Sequence, residues 1–173
     1  MGQVAELILA TAKMSRRYGE NLLKDVPASR FARLATQDGK PVQSNHPAFV
    51  YGHLSIYPKR ITTVLGATVI ENPPKFEELF LNGKPCLDDP AGTIYPPMDS
   101  IVSHYNAGYD AAAAAIAKTS DADFAKLPPD EGRTRELFPT QGALVGFLMS
   151  GHQMSHFGQV SAWRRLMGLG SAF

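Results

Sequence analysis

One cysteine, Cys86, stands in the 173-residue chain, and that scarcity excludes an intramolecular disulfide framework. A surplus of one charge sign is missing too, since 17 Lys and Arg face 16 Asp and Glu for a net charge of +1. The chain has no electrostatic excess with which to grip a phosphate backbone or an anionic membrane, so nucleic acid is not an expected partner. No apolar run approaches the roughly 20 residues needed to span a bilayer. The opening Met1-Gly2-Gln3-Val4-Ala5-Glu6 lacks the basic region and apolar stretch of a signal peptide, and the expected location is the cytoplasm. Two metal signatures are also absent. Gln153 stands where His-Glu-x-x-His would carry its general base, which excludes a zincin. No Glu-x-x-His occurs anywhere, which argues against a carboxylate-bridged di-iron bundle.

What remains is a helical pattern in a chain long enough for one well-buried domain, expected over residues 1–173. Apolar residues at Val4, Leu7, Ile8, Met14, Tyr18 and Leu22 follow a three-and-four spacing that predicts a first helix from Val4 to about Lys24. Pro27 ends it and Asp38-Gly39-Lys40-Pro41 marks a loop. Before a second helix, Asn45 or His46 is placed to cap and Pro47 suits the first turn. The stripe Val50, His53, Leu54, Tyr57, Ile61, Val64 and Leu65 carries that helix, with a kink expected at Pro58. Residues 68–97 are rich in proline and glycine, with one short helix expected at Lys75 to Leu81. Compact domains usually join elements with about 4 to 6 residues, so this segment reads as a lid over a site or a crossover between helices. A third helix is expected from Met98 to Thr119, a polar loop from Ser120 to Pro139, and a long fourth helix from about Thr140 to Met167, ended by Gly168 and Gly170. The fold class predicted is all-α, a four-helix bundle with a long Pro-rich connection between helices two and three.

Chemistry concentrates in the last helix. His152 and His156 are four residues apart, so on a helix they lie on one face, one turn apart, and can converge on a single cation. Both fall on the apolar stripe with Leu144, Leu148, Trp163 and Met167, so they point inward, where two imidazoles need polar partners. His53 lies on the inner stripe of helix two. A core histidine taken alone is more often a satisfied hydrogen-bonding residue, but three inward histidines from two helices make a facial triad with open positions for water and substrate. Gln159 lies one turn beyond His156, where its amide is placed to orient a ligand or bound water. Gly151 and Gly158 cost about 1 kcal/mol each in helix propensity and suggest that another helix or a ligand approaches closely. Arg164 and Arg165 read as solvated charges at the negative end of the helix dipole. His46 reads as a cap or surface residue and His104 as a residue adjoining the inner face of helix three, neither of them a ligand, and Cys86 has no assigned role.

The histidine in the middle of helix two, with His152, His156, Gly158, Gln159, Arg164, Arg165 and Gly168 closing the pattern, resembles the DinB-like (YfiT-like) family of metal-binding four-helix bundles. The resemblance runs from about Val4 to Gly168. It implies a metal bound by His53, His152 and His156, a divalent ion such as zinc, nickel, iron or manganese, with water in the open positions. It further implies an antiparallel bundle whose second and third helices are not simple neighbours, a homodimer, and use of the metal to bind and deprotonate a low-molecular-weight thiol in S-transfer or thiol-dependent isomerisation. The chain departs from the usual pattern in the length of its Pro-rich connection and in carrying Tyr51 or Phe49 where relatives often carry Trp. These departures bear on the substrate more than on the metal.

Two classes of function follow. As an enzyme, the chain would activate a thiol in a pocket walled by Tyr57, Tyr105, Tyr109 or Trp163, with residues 68–97 supplying specificity; a hydrolase using metal-bound water is the alternative. As a binding protein, it would be a stress-associated metal-binding or dimeric interaction protein that retains the bundle and the histidines.

Overall fold

The computed structural model describes residues 1–172. Helix α1 spans Gln3–Leu23 and turns Ala5, Ile8, Ala12, Ser15, Gly19 and Leu22 inward. Its first amide groups have no partner within the helix, and the Asp121 carboxylate accepts from Gln3 N and Val4 N, each at 3.0 Å. Leu7 and Met14, expected on the inner stripe, are 70% and 75% exposed. The inner face is instead built from small residues because its neighbour comes very close: a Cβ on Gly19 would lie 2.6 Å from Cζ of Phe157. A short helix α2, Ala28–Phe31, follows Pro27, and the Asp38-Gly39 loop proves to be the tip of a two-residue hairpin, β1 Thr36–Gln37 with β2 Lys40–Pro41. Both tip residues have positive φ, 52° and 74°, as a tight hairpin turn requires.

The second helical run is two helices, α3 Pro47–Ser55 and α4 Tyr57–Val64. His46 caps α3 by accepting from Phe49 N, and Pro47 occupies the first turn. The break at Ile56 follows from Pro58, which has no N–H to offer the Leu54 carbonyl. Helix α5, Phe76–Phe80, falls where the short helix of the connection was expected. After α6, Met98–Lys118, the segment expected as loop contains α7, Asp121–Phe124, and α8, Arg133–Leu137. The last helical run starts as α9, Gln141–Gly146, passes through a π-helical turn at Phe147–Gly151, and continues as α10, His152–Leu166. It stops at Gly168, φ 74°, with Gly168 N bonded to Arg165 O and Leu169 N to Arg164 O, a Schellman ending.

Helix α3 packs against α6 and α10, and α1 packs against α6, α10 and the π turn, while α4 also lies on α6. The second and third helical runs are therefore direct neighbours, contrary to what the family resemblance implies. Gly108 permits that closeness, since a Cβ there would meet Pro58 Cγ at 2.9 Å. Tyrosines tie the remaining pairs. The Tyr51 hydroxyl donates to Gly19 O at 2.5 Å, and the Tyr105 hydroxyl donates to Gln153 Oε1.

The connection between α4 and α6 is fastened at several points. Asp88 accepts from the Arg33 guanidinium at 2.8 and 3.2 Å and from Leu34 N at 2.8 Å. Asp89 N donates to Ala32 O, and its carboxylate collects the amides of Thr93, Ile94 and Tyr95. These bonds satisfy backbone that would otherwise be lost in a long loop. Among the described residues no helix is long and apolar enough to cross a membrane.

Candidate metal centre

His53 comes from the last turn of α3, and His152 and His156 from the first two turns of α10. One potential ligand atom from each lies within 4.8 Å of the others, and His53 Nε2 stands 3.3 Å from His152 Nε2. The His156 ring centre is 4.6 Å from that of His53 and 4.8 Å from that of His152. His53 and His152 are buried and His156 is half-buried. Among the described residues this is the only group of His, Cys, Asp and Glu so arranged.

The far side of each ring determines which nitrogen faces the centre. His53 Nδ1 lies 2.7 Å from Phe80 O; a carbonyl only accepts, so the ring proton sits on Nδ1 and the Nε2 lone pair points inward. Gly52 makes this contact possible, because a Cβ there would overlap the Phe80 ring. His156 Nδ1 lies 3.3 Å from Gln159 Oε1, which also accepts from Asn45 Nδ2 at 2.9 Å. The proton of His156 is therefore on Nδ1 as well. His152 Nδ1 is buried with no hydrogen-bond partner.

A neutral, lone-pair-rich centre is the electrostatic result. Burial pushes the His152 pKa down to about 3, with His156 and His53 pushing the same way. The pKa of His53 is lowered by burial first, against the pull of the Phe80 carbonyl, and that of His156 by burial against the pull of Gln159. No carboxylate acts on any of the three. Nitrogens bound to one first-row cation at about 2.0–2.1 Å sit roughly 3.0–3.5 Å apart, the spacing already present between His53 and His152. With two Nε2 lone pairs aimed inward and a third ring whose outer nitrogen is orphaned, the residues fit a divalent cation.

Tyr57 is one aromatic wall of the site, its ring centre 4.4 Å from that of His152 and 5.0 Å from that of His53, and Phe147 and Phe49 flank His152 and His53 in turn. It also lines a cleft of about 460 Å³ with Ile56, Lys59, Arg60, Leu81 and Asp130. Tyr105, Tyr109 and Trp163, expected as walls, belong to the core; the Trp163 indole donates to Arg33 O at 2.8 Å. His46 is fully buried, with Nδ1 accepting from Phe49 N and Nε2 donating to Leu87 O. It is a cap and not a surface residue. His104 packs on Phe76 and pairs with Asn72. Burial pushes the Cys86 thiol up to about 11, away from reactivity at neutral pH.

Three expectations are corrected. A Cβ on Gly158 would meet nothing within 4 Å, and one on Gly151 would meet only the Phe147 ring, so neither marks a close helix. Arg164 is buried, donating to Leu22 O, Lys24 O and Leu169 O; only Arg165 is a surface charge. The contributions of Asn45, Gly52 and the Phe80 carbonyl were not anticipated. A glycine immediately before an inward histidine was the one available signal.

Comparison with protein-family models and with curated proteins gives no match for this chain.

Proposed function

We propose that this chain is a DinB-like metal-binding four-helix bundle whose His53, His152 and His156 hold a divalent cation such as zinc, nickel, iron or manganese. On this reading it is a homodimer that activates a low-molecular-weight thiol for S-transfer or thiol-dependent isomerisation. The observation that carries the proposal is the convergence of three neutral imidazoles, with His53 and His152 nitrogens already 3.3 Å apart. A cation bound there supplies Lewis acidity, which lowers the pKa of a thiol that coordinates it. The protein's own part is to keep the three rings unprotonated by burial and to hold the protons of His53 and His156 on their outer nitrogens. Tyr57, whose ring lies against His53 and His152, also lines the neighbouring cleft, which at about 460 Å³ is of a size to receive a small molecule.

No carboxylate among the described residues joins the cluster, so neither a thiol nor a water held there would have a neighbouring base for its proton; thiol activation is favoured because a free thiol, with a pKa of about 8.5, is far more acidic than water and would give its proton to solvent the more readily. The test is the visible spectrum of cobalt-substituted protein titrated with small thiols. A thiol-dependent shift in the ligand-field bands supports an open site of this kind. An unchanged spectrum with cobalt bound would leave a closed, non-catalytic metal site.

A further inference from the structure

We propose that Asn45 is a positioning residue for the metal centre, acting through Gln159 to fix which nitrogen of His156 is free to bind a cation. The proposal rests on the metal-binding reading above and adds to it a residue that touches no ligand atom. Asn45 immediately precedes the His46 cap of α3 and reaches across to α10, where its Nδ2 donates to Gln159 Oε1 at 2.9 Å. The same oxygen is the acceptor 3.3 Å from His156 Nδ1.

A glutamine amide has two ends of nearly equal shape and opposite polarity. With Oε1 toward His156, Nδ1 must carry the ring proton and Nε2 keeps its lone pair for the centre. With the amide reversed, its NH2 group would donate to Nδ1, the proton would move to Nε2, and the ligand position of His156 would be blocked. His156 alone cannot choose between these arrangements, because each gives it one hydrogen bond. As placed, Asn45 turns its NH2 group toward Gln159, and with that donor in place only Oε1 gives it an acceptor. The relay thus runs from a loop donor through an amide to a ring tautomer, the arrangement by which groups behind a ligand tune metal affinity. His53 has a backbone counterpart in the Phe80 carbonyl; His156, on the more open side of the cluster, depends on side chains.

The test uses the full chain and two readouts. The tautomer of His156 is read from long-range proton–nitrogen couplings of its ring in metal-free protein, and zinc affinity is read by competition with a chromophoric chelator. Asn45→Asp keeps the shape and reverses the polarity of the donor, so it should turn the Gln159 amide, move the His156 proton from Nδ1 to Nε2, and weaken zinc binding by about tenfold to a hundredfold. Simple electrostatics predicts the opposite, since an added carboxylate near the site would tighten a cation. In the double variant Asn45→Ala/Gln159→Glu, both oxygens beside His156 are acceptors and no donor is needed to orient them, so the Nδ1–H tautomer should return. An unchanged tautomer in Asn45→Asp, or zinc bound as tightly or more tightly, overturns the proposal, as does a double variant that fails to restore Nδ1–H. Should wild type take no zinc at all, the metal-binding reading fails by itself and the tautomer decides the relay.

Discussion

His152 carries the sharpest cost among the residues of the site, because its ring is buried, both neighbouring histidines oppose its protonation, and its Nδ1 has no partner. Its folded pKa of about 3 lies below the ordinary histidine value, so the unfolded chain binds the proton first as pH falls. Stability from this residue is full above pH 6.5 and declines toward pH 3, by about 2 kcal/mol at pH 5. Urea unfolding of metal-free protein at pH 7 and pH 5 should show that loss in wild type and a smaller one in His152→Gln; equal losses would mean that the ring is not held neutral. Arg164 is the second consequential residue. Its guanidinium gathers three backbone carbonyls, two of them at the end of α1, and Arg164→Met should cost about 3 kcal/mol by leaving them without a donor. Denaturant titration checks this, and a change below about 0.5 kcal/mol, typical of surface sites, would contradict the assigned role. His152 and His156 were legible because helical spacing puts them on one face. Arg164 was not, since a charge near a helix end reads as solvated unless the end of α1 is known to lie against it.

Helix boundaries followed the prolines and glycines closely, at Pro47, Pro58 and Gly168, because those residues act through local backbone sterics. The π turn at Phe147–Gly151 follows Gly146 and ends on Gly151, but a glycine inside a helical pattern does not by itself specify such a turn. It depends on how the helix on either side meets α1, and it stands directly before His152, in keeping with the tendency of such turns to occur at functional positions. The apolar stripe of α1 was misread for a related reason: close approach favours Ala, Ser and Gly, which carry little hydrophobic signal. Close approach also governs α3 and α5, where Gly52 receives the Phe80 ring and so delivers the Phe80 carbonyl to His53. Gly52→Ala should lower stability by about 1–3 kcal/mol through overpacking and weaken zinc binding in the same variant. Calorimetry on metal-free and zinc-loaded samples separates the two effects, and a variant that loses stability while binding zinc as wild type does would detach α5 from the metal centre.

At the scale of the whole molecule, the histidines meet only because α3 and α10 are neighbours, so the cation that fits them would cross-link two helical runs nearly 100 residues apart in sequence. Ligand linkage then makes the folded state more stable by about 2.7 kcal/mol at a free zinc concentration one hundred times Kd, a rise in Tm of roughly 5–10 °C for a chain of this size. Periodicity made the helical class legible, but it carried no information on which helices touch, and the direct contact of the second helical run with α6 had to come from tertiary packing, as where Pro58 of α4 meets Gly108. The central claim is that three histidines from two helices form one metal site. It is tested most directly by measuring bound metal per chain, after purification without chelator and after reconstitution, in wild type, His53→Ala, His152→Ala and His156→Ala. The account predicts about one equivalent in wild type and its loss in each variant. Absence of metal from reconstituted wild type, or full retention in any of the variants, would contradict it.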